Sequence, residues 1–160
     1  MLGILNDREV NELLSRQLIG RIGCYANKRV YVVPISYAYC DGYVYCHSME
    51  GMKLQMMRQN PDVCFEVDDL RDVSNWKSVI CWGKFEEIND EDERMKGIEI
   101  LLNRMVPFTA SALAHVTPEW PFVPNDIRKV RGVIFRIRID EKSSRFEILD
   151  RKHKQHSWED

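Results

Sequence analysis

The stretch that decides the fold is Val30-Tyr-Val-Val-Pro34-Ile-Ser36-Tyr-Ala-Tyr-Cys40, Asp41-Gly42, Tyr43-Val-Tyr-Cys46-His47-Ser48. Its two halves are rich in β-branched and aromatic residues and are separated by Asp-Gly alone. Asp-Gly is a strong hairpin signal, because a type I′ turn needs positive φ at both central positions. The stretch therefore predicts two antiparallel strands joined by a tight turn. Pro34 cannot donate to a ladder, so it marks an edge, a bulge, or a strand whose backbone faces something other than a neighbour.

Working towards the N-terminus, Leu18-Ile-Gly-Arg-Ile-Gly-Cys24-Tyr-Ala26 reads as a strand ending at Asn27-Lys28-Arg29, which makes a meander of three. Before it, Asn6 followed by Glu9 is a capping-box pattern, and Val10, Leu13 and Leu14 recur at helical spacing. Towards the C-terminus a brief helix is expected after Ser48, with Leu54 and Met57 on one side and an end at Asn60-Pro61. Asp62 to Asp68 reads as a strand. Trp76 to Ile88 is a longer one, with Gly83 suggesting a bulge or a barrel corner. Asn89 and Asp92 are expected to cap a helix carrying Met95, Ile98, Leu101, Leu102 and Met105. Residues 106–130 hold four prolines with Phe108, Trp120 and Phe122 in an irregular stretch. Gly132 to Asp140 then alternates as a strand, with Arg136 and Arg138 on its polar face.

About six strands with three short helices predict an α+β, mainly β, small antiparallel barrel. At 160 residues the chain fits one domain, here 1–150, followed by a polar tail at 151–160 whose histidines read as solvated, with no metal site expected. A formal net charge of -2 gives no global field for nucleic acid or an anionic membrane, so neither is expected as a partner. The five cysteines form no C-x-x-C pair, the apolar start is too short for a signal peptide, and no run nears the eighteen or so apolar residues of a membrane span. A reducing, cytoplasmic location is expected.

Chemistry concentrates where the strand ending at His47 and Ser48 runs through a glycine-bearing turn into a helix carrying Lys53. Backbone N–H groups at a helix start, a close-approaching glycine, Lys53 and the side chains of His47 and Ser48 can together hold a phosphate monoester. The same spacing fits a plainer reading, in which Ser48 only caps the helix and Lys53 is a solvated charge.

Pro34-Ile-Ser, the Asp-Gly hairpin, Tyr-x-His-Ser-x-x-Gly-x-Lys and Asn60-Pro-x-Val-Cys-Phe, in this order, resemble the FMN-binding split-barrel superfamily of pyridoxamine 5′-phosphate oxidase, nearest its nitroimidazole-resistance branch. The likeness runs over residues 6 to 145 or so and implies a split β-barrel. It implies that Lys53, with Gly51 and Met52, holds a flavin phosphate, that His47 and Ser48 line the ribityl or ring side, and that Val33, Pro34, Ile35 and Ser36 run beside the isoalloxazine. Ser78 matches a position where the family brings another polar side chain to the phosphate, while Lys77 alternates to the other face. The implied cofactor is FMN, with FAD and haem as alternatives. The implied activity is an oxidoreductase reducing a small flat acceptor such as a nitroaromatic, with NAD(P)H as donor; a non-catalytic flavin-binding or sensing protein is the alternative. His47 would then be either a proton donor or a positioning hydrogen-bond donor, with His115 a weaker catalytic candidate. Gly51-Met52-Lys53 departs from the Ser-Arg-Lys of pyridoxamine phosphate oxidase, and its Arg-Leu-x-Pro substrate motif is missing, so vitamin oxidation is not expected. The superfamily implies a homodimer with flavin at the boundary, and the aromatic segment from Met105 to Phe122 is read as an interface or a lid.

Overall fold

A computed structural model describes residues 1–104 and 129–149. The aromatic segment from Met105 to Phe122, with His115, and the tail from residue 151 fall outside the described residues. Within them the elements are β1 (Leu2–Gly3), α1 (Asp7–Arg16), β2 (Ile19–Ala26), β3 (Arg29–Cys40), β4 (Tyr43–Ser48), α2 (Met52–Gln59), β5 (Asp62–Asp72), β6 (Asn75–Glu87), α3 (Glu91–Arg104) and β7 (Val133–Ile148).

The local signals act as their chemistry requires. Asp41 and Gly42 hold φ of 49° and 79°, the two positive values of a type I′ turn, and Asn27 and Lys28 make a second such turn at 51° and 61°. Asn6 and Glu9 form a complete capping box at α1. At α3 the cap is Asp90, not the expected Asn89 or Asp92: its carboxylate accepts from the Glu93 N–H at 3.0 Å. An N-cap side chain reaches the amide three residues ahead, and only Asp90 stands at that distance from the first turn.

The strands form one antiparallel sheet in the order β1-β7-β4-β3-β2-β5-β6, and β6 pairs back to β7, so six strands close into a ring to which β1 adds a short edge. This is the expected mainly-β barrel with three helices. Two extents differ from expectation. The last strand does not stop at Asp140 but runs to Ile148, because β6 pairs with it from Glu87↔Phe135 to Asn75↔Ile148. The strand from Asp62 likewise continues past Asp68 to Asp72.

Inward residues of every ring strand, including Ile22, Tyr37, Val44, Phe65, Cys81 and Ile137, form one core with Leu13 and Leu14 of α1 and Leu54 and Met57 of α2. Tyr37 donates its hydroxyl to the Leu14 carbonyl at 2.6 Å, tying α1 to the barrel. Helix α3 lies outside the ring, where Ile98 and Leu101 pack with Ala38, Tyr45 and Ile134. All five cysteines are free thiols. Among the described residues no helix is long and apolar enough to cross a membrane.

The barrel corner sits at Gly83, as its place in the sequence suggested. The β6–β7 register shifts between Trp82 and Gly83, and a Cβ there would lie 2.1 Å from the Arg138 carbonyl oxygen. That neighbour is backbone and cannot rotate away. Gly83→Ala should therefore cost about 2–3 kcal/mol in urea unfolding. Gly23→Ala, whose nearest contact would be an ordinary 3.6 Å, should stay within about 1 kcal/mol. Equal stabilities for the two variants would contradict this account of the corner.

Candidate functional site

The β3–β4 ladder begins at the turn with Cys40↔Tyr43 and ends at Tyr37↔Cys46. Continued in register, the next pairs would be Ser36 with His47 and Ile35 with Ser48. Instead β4 carries on alone with β7, His47 opposite Ile134 and Ser48 opposite Val133, while β3 carries on alone with β2. The ring therefore forks here, leaving a groove between the first half of β3 and the end of β4.

Pro34 lies on the groove edge. Tyr37 N–H donates to the Leu18 carbonyl, so odd-numbered amides of β3 point to β2 and the even positions point into the groove. Pro34 thus lacks an N–H where no strand waits for one, and Ser36 and Val32 offer free backbone donors and acceptors on either side. Val33 and Ile35 turn their side chains the other way, Ile35 into the core. Of the four residues expected here, Pro34 and Ser36 serve the groove, and Val33 and Ile35 support it.

Across the groove, Ser48 is buried, and its hydroxyl donates to the Met49 carbonyl at 2.8 Å. It is not the helix cap. Gly51 holds the N-cap position of α2 with no side-chain cap bond, and a Cβ on Gly51 would meet nothing within 4 Å. Among the described residues, then, no side chain caps the first amides of α2, whereas side-chain caps close the starts of α1 and α3. Lys53 in that first turn is half-buried, forms no hydrogen bond or ion pair among the described residues, and acts electrostatically on Cys24, Cys46 and His47. Met52 is exposed beside it. Burial pushes the Cys46 and Cys24 thiols up, Lys53 opposing, so both stay protonated and inert.

His47 points to the outer side of β4 and meets the Arg131 carbonyl through Nε2 at 2.5 Å. A carbonyl only accepts, so Nε2 carries the proton. Gly132, at φ 87°, passes so close that a Cβ would sit 2.8 Å from that nitrogen. Arg94 of α3 clamps the same turn, donating to the Val130 and Gly132 carbonyls at 2.6 and 3.2 Å. Sequence reasoning missed Arg94, although a signal existed: with Ile98 and Leu101 it falls at i, i+4, i+7 on the apolar stripe of α3, an unusual place for a cation.

Ser78 is not brought to this place within one chain. Helix α2 packs on β2, and Cys24 of β2, on which Lys53 acts electrostatically, pairs through Val63 of β5 to Gly83 of β6. Ser78 lies five residues from Gly83, about 17 Å along the strand, opposite Asp68 and Arg145. Lys77 lines a cleft of about 640 Å³ at that far end, with Leu13, Arg16, Asp69, Arg71 and Trp76. Most charges that wall that cleft are engaged with one another, Asp69 with Arg16 and Arg71 and Glu12 with Arg8, while Lys77 has no partner among the described residues. The groove at the fork differs in joining an unpartnered lysine to an uncapped helix start and an unpaired strand edge.

An antiparallel ring split at one hairpin, with a helix starting at the split, defines the class of split β-barrels. The chain belongs to the pyridoxamine 5′-phosphate oxidase family, whose sequence pattern matches residues 6–146. It is similar to the crystal structure of an FAD-binding protein from Mesorhizobium loti, at 30% identity and a TM-score of 0.68, over 91% of this chain and 98% of that one. It shares its fold with a Bacteroides thetaiotaomicron protein described as a 5-nitroimidazole antibiotic resistance protein, at 18% identity and a TM-score of 0.68, over 91% of this chain and 87% of that one. An uncharacterised protein of Rhizobium meliloti is 31% identical over 85 residues, 53% of this chain and 56% of the relative, so the match spans just over half of that protein's length.

Burial holds the His47 imidazole below its ordinary value of 6.5, with the positive charges of Arg94 and Lys53 adding to the effect and the Arg131 carbonyl opposing it. The unfolded chain then binds the proton more readily than the folded one, so stability is full above pH 6.5 and falls as pH drops below it. An NMR titration should place the His47 midpoint below 6.5, and His47→Gln should lose less melting temperature than the wild type between pH 7 and pH 5. An unshifted midpoint would refute the burial argument.

Proposed function

We propose that this chain binds FMN in the groove at the fork and uses it as an oxidoreductase on a small flat acceptor such as a nitroaromatic, with NAD(P)H as the electron donor. The observation that carries the reading is the uncapped start of α2 at Gly51, open to free space, with the unpaired Lys53 beside it. A phosphate monoester carries about 1.5–2 negative charges near neutral pH and three acceptor oxygens, which suits several backbone N–H groups and one ammonium. The likeness to an FAD-binding protein at 30% identity supports a flavin, and FAD is the competitor to test.

In this reading Lys53 and the amides from Gly51 to Leu54 hold the phosphate, Ser48 walls the middle of the groove, and the free backbone groups of Val32, Pro34 and Ser36 face the ring's polar edge. A bound flavin supplies hydride and electron transfer, which no side chain of the protein can supply. The protein binds it, orients it and excludes water. His47 acts as a positioning residue, because its Nε2 proton is already donated to Arg131 and burial keeps the ring neutral. Haem ligation through that nitrogen would require breaking the same bond.

The purified protein should show the two visible bands of a flavin. Lys53→Ala should weaken FMN at least about tenfold, the worth of a hydrogen bond to a charged group, while riboflavin, which lacks the phosphate, stays within about twofold. A colourless protein that takes up no FMN would sink the reading. NAD(P)H oxidation with nitroaromatic acceptors tests turnover, and binding without turnover would leave a flavin carrier.

A homodimer belongs to the same proposal. On the outer face of the ring, Val30 and Val32 of β3, Tyr25 of β2 and Trp82 of β6 are exposed apolar side chains. The pairings Tyr25↔Val30, Gly23↔Val32, Gly23↔Cys64 and Cys64↔Trp82 make them one strip beside the groove. Such a strip suits a second copy that would also wall the open side of the groove. Val30→Glu, changing a residue 71% exposed in the single chain, should turn a dimer into a monomer in light scattering. A wild-type monomer would overturn the dimer.

A further inference from the structure

Glu50 immediately precedes Gly51 at the start of α2, so its carboxylate belongs to the turn that shapes the open helix end. A carboxylate one residue before an uncapped helix start is an intramolecular rival for any anion there, since those amides and the positive dipole end attract it equally well. The structure shows it drawn elsewhere. Arg58 donates to both oxygens of Glu50, from Nη1 and Nη2, each at 2.8 Å. It also donates to both oxygens of Glu87 at the end of β6, from Nε at 2.7 Å and Nη2 at 2.9 Å.

Arg58 stands seven residues beyond Gly51, about 10 Å further along the helix axis. The Glu50 carboxylate thus has both oxygens on Arg58 and makes no cap bond to the amides that begin α2. The guanidinium fork makes this a defined geometry, because it engages two carboxylates bidentately as a lysine cannot. Its second grip, on Glu87, anchors it to the barrel.

We propose that Arg58 is a positioning residue for the anion cradle: it holds Glu50 off the α2 N-terminus and so keeps that end vacant and electropositive for a phosphate monoester. This rests on the flavin-phosphate reading above. The guanidinium also holds the Glu50 carboxyl below the usual carboxylate range, so the rival carries its charge throughout the neutral range. Released, it would both occupy the amides and repel the phosphate.

The test is titration of FMN and riboflavin, followed by flavin fluorescence, on the full chain and on Arg58→Gln, Glu50→Gln and the double variant. Arg58→Gln should weaken FMN about tenfold, a Coulomb-sized effect of one nearby charge, and leave riboflavin within about twofold. Removing the rival charge in the double variant should bring FMN back to within about threefold of the wild type. Glu50→Gln alone should bind FMN as well as the wild type or better. If the double variant stays as weak as Arg58→Gln, or riboflavin weakens in step with FMN, Arg58 merely supports the local fold and the proposal fails. If FMN binds the wild type and Arg58→Gln equally, it fails as well. If the wild type takes up no FMN, the flavin reading falls and takes this proposal with it.

Discussion

The ladder between β3 and β4 ends after Tyr37↔Cys46, and the arrangement of the rest follows from that break. A sheet edge left open in a small barrel exposes backbone groups that must find water, a ligand or another chain. Here the open edge is kept narrow by what surrounds it. Strand β4 is held on its other side by β7, and β7 is held in turn by β6 along nearly its whole length. The fork is an opening in an otherwise closed ring, so its two walls cannot drift together or apart. That rigidity lets a handful of unpaired groups keep a fixed spacing.

Charge around the opening is arranged locally. The chain as a whole carries a net charge of -2, so nothing draws anions to it from a distance. What matters is which charges are spent on one another. Glu50 and Glu87 are both engaged by Arg58, and Glu86 and Glu93 by Arg136. Exposed pairs of this kind add little to stability. They leave Lys53 as a cation with no partner among the described residues, within one turn of a helix start that has no side-chain cap.

Much of this was legible in the sequence where a residue's own backbone chemistry dictated the outcome. Asp41-Gly42 had to turn, Asn6 and Glu9 had to cap, Gly83 sat where a strand had to bend, and Pro34 marked an edge, a bulge or a backbone facing something other than a strand. The same holds for Lys53 and Gly51, which adjoin a strand-to-helix junction by sequence alone. What escaped depended on contacts between distant segments. The last eight residues of β7, with charges at Glu141, Lys142, Arg145 and Glu147, do not alternate like a buried strand; pairing with β6 makes them one. Arg58 and Glu87 are 29 residues apart, and no local pattern joins them. Ser78 was inferred from likeness alone, and within one chain the register sets it opposite Asp68 and Arg145.

Among the described residues, three departures from ordinary design meet at the fork: a proline inside a strand, a helix start without a side-chain cap and a half-buried lysine without a partner. Each alone has a plain structural cause. An uncapped helix start forgoes about 1 kcal/mol, and a strand edge left unpaired forgoes its ladder bonds, so their meeting in one groove is not what packing alone would select. Elsewhere α1 and α3 are capped and the β2–β3 and β3–β4 hairpins take the favoured type I′ turn. Among the described residues, no other place joins an uncapped helix start, an unpaired strand edge and an unpartnered lysine. The chemistry of those donors, amides and an ammonium at one end and strand backbone at the other, is what the proposed flavin phosphate and ring would each require.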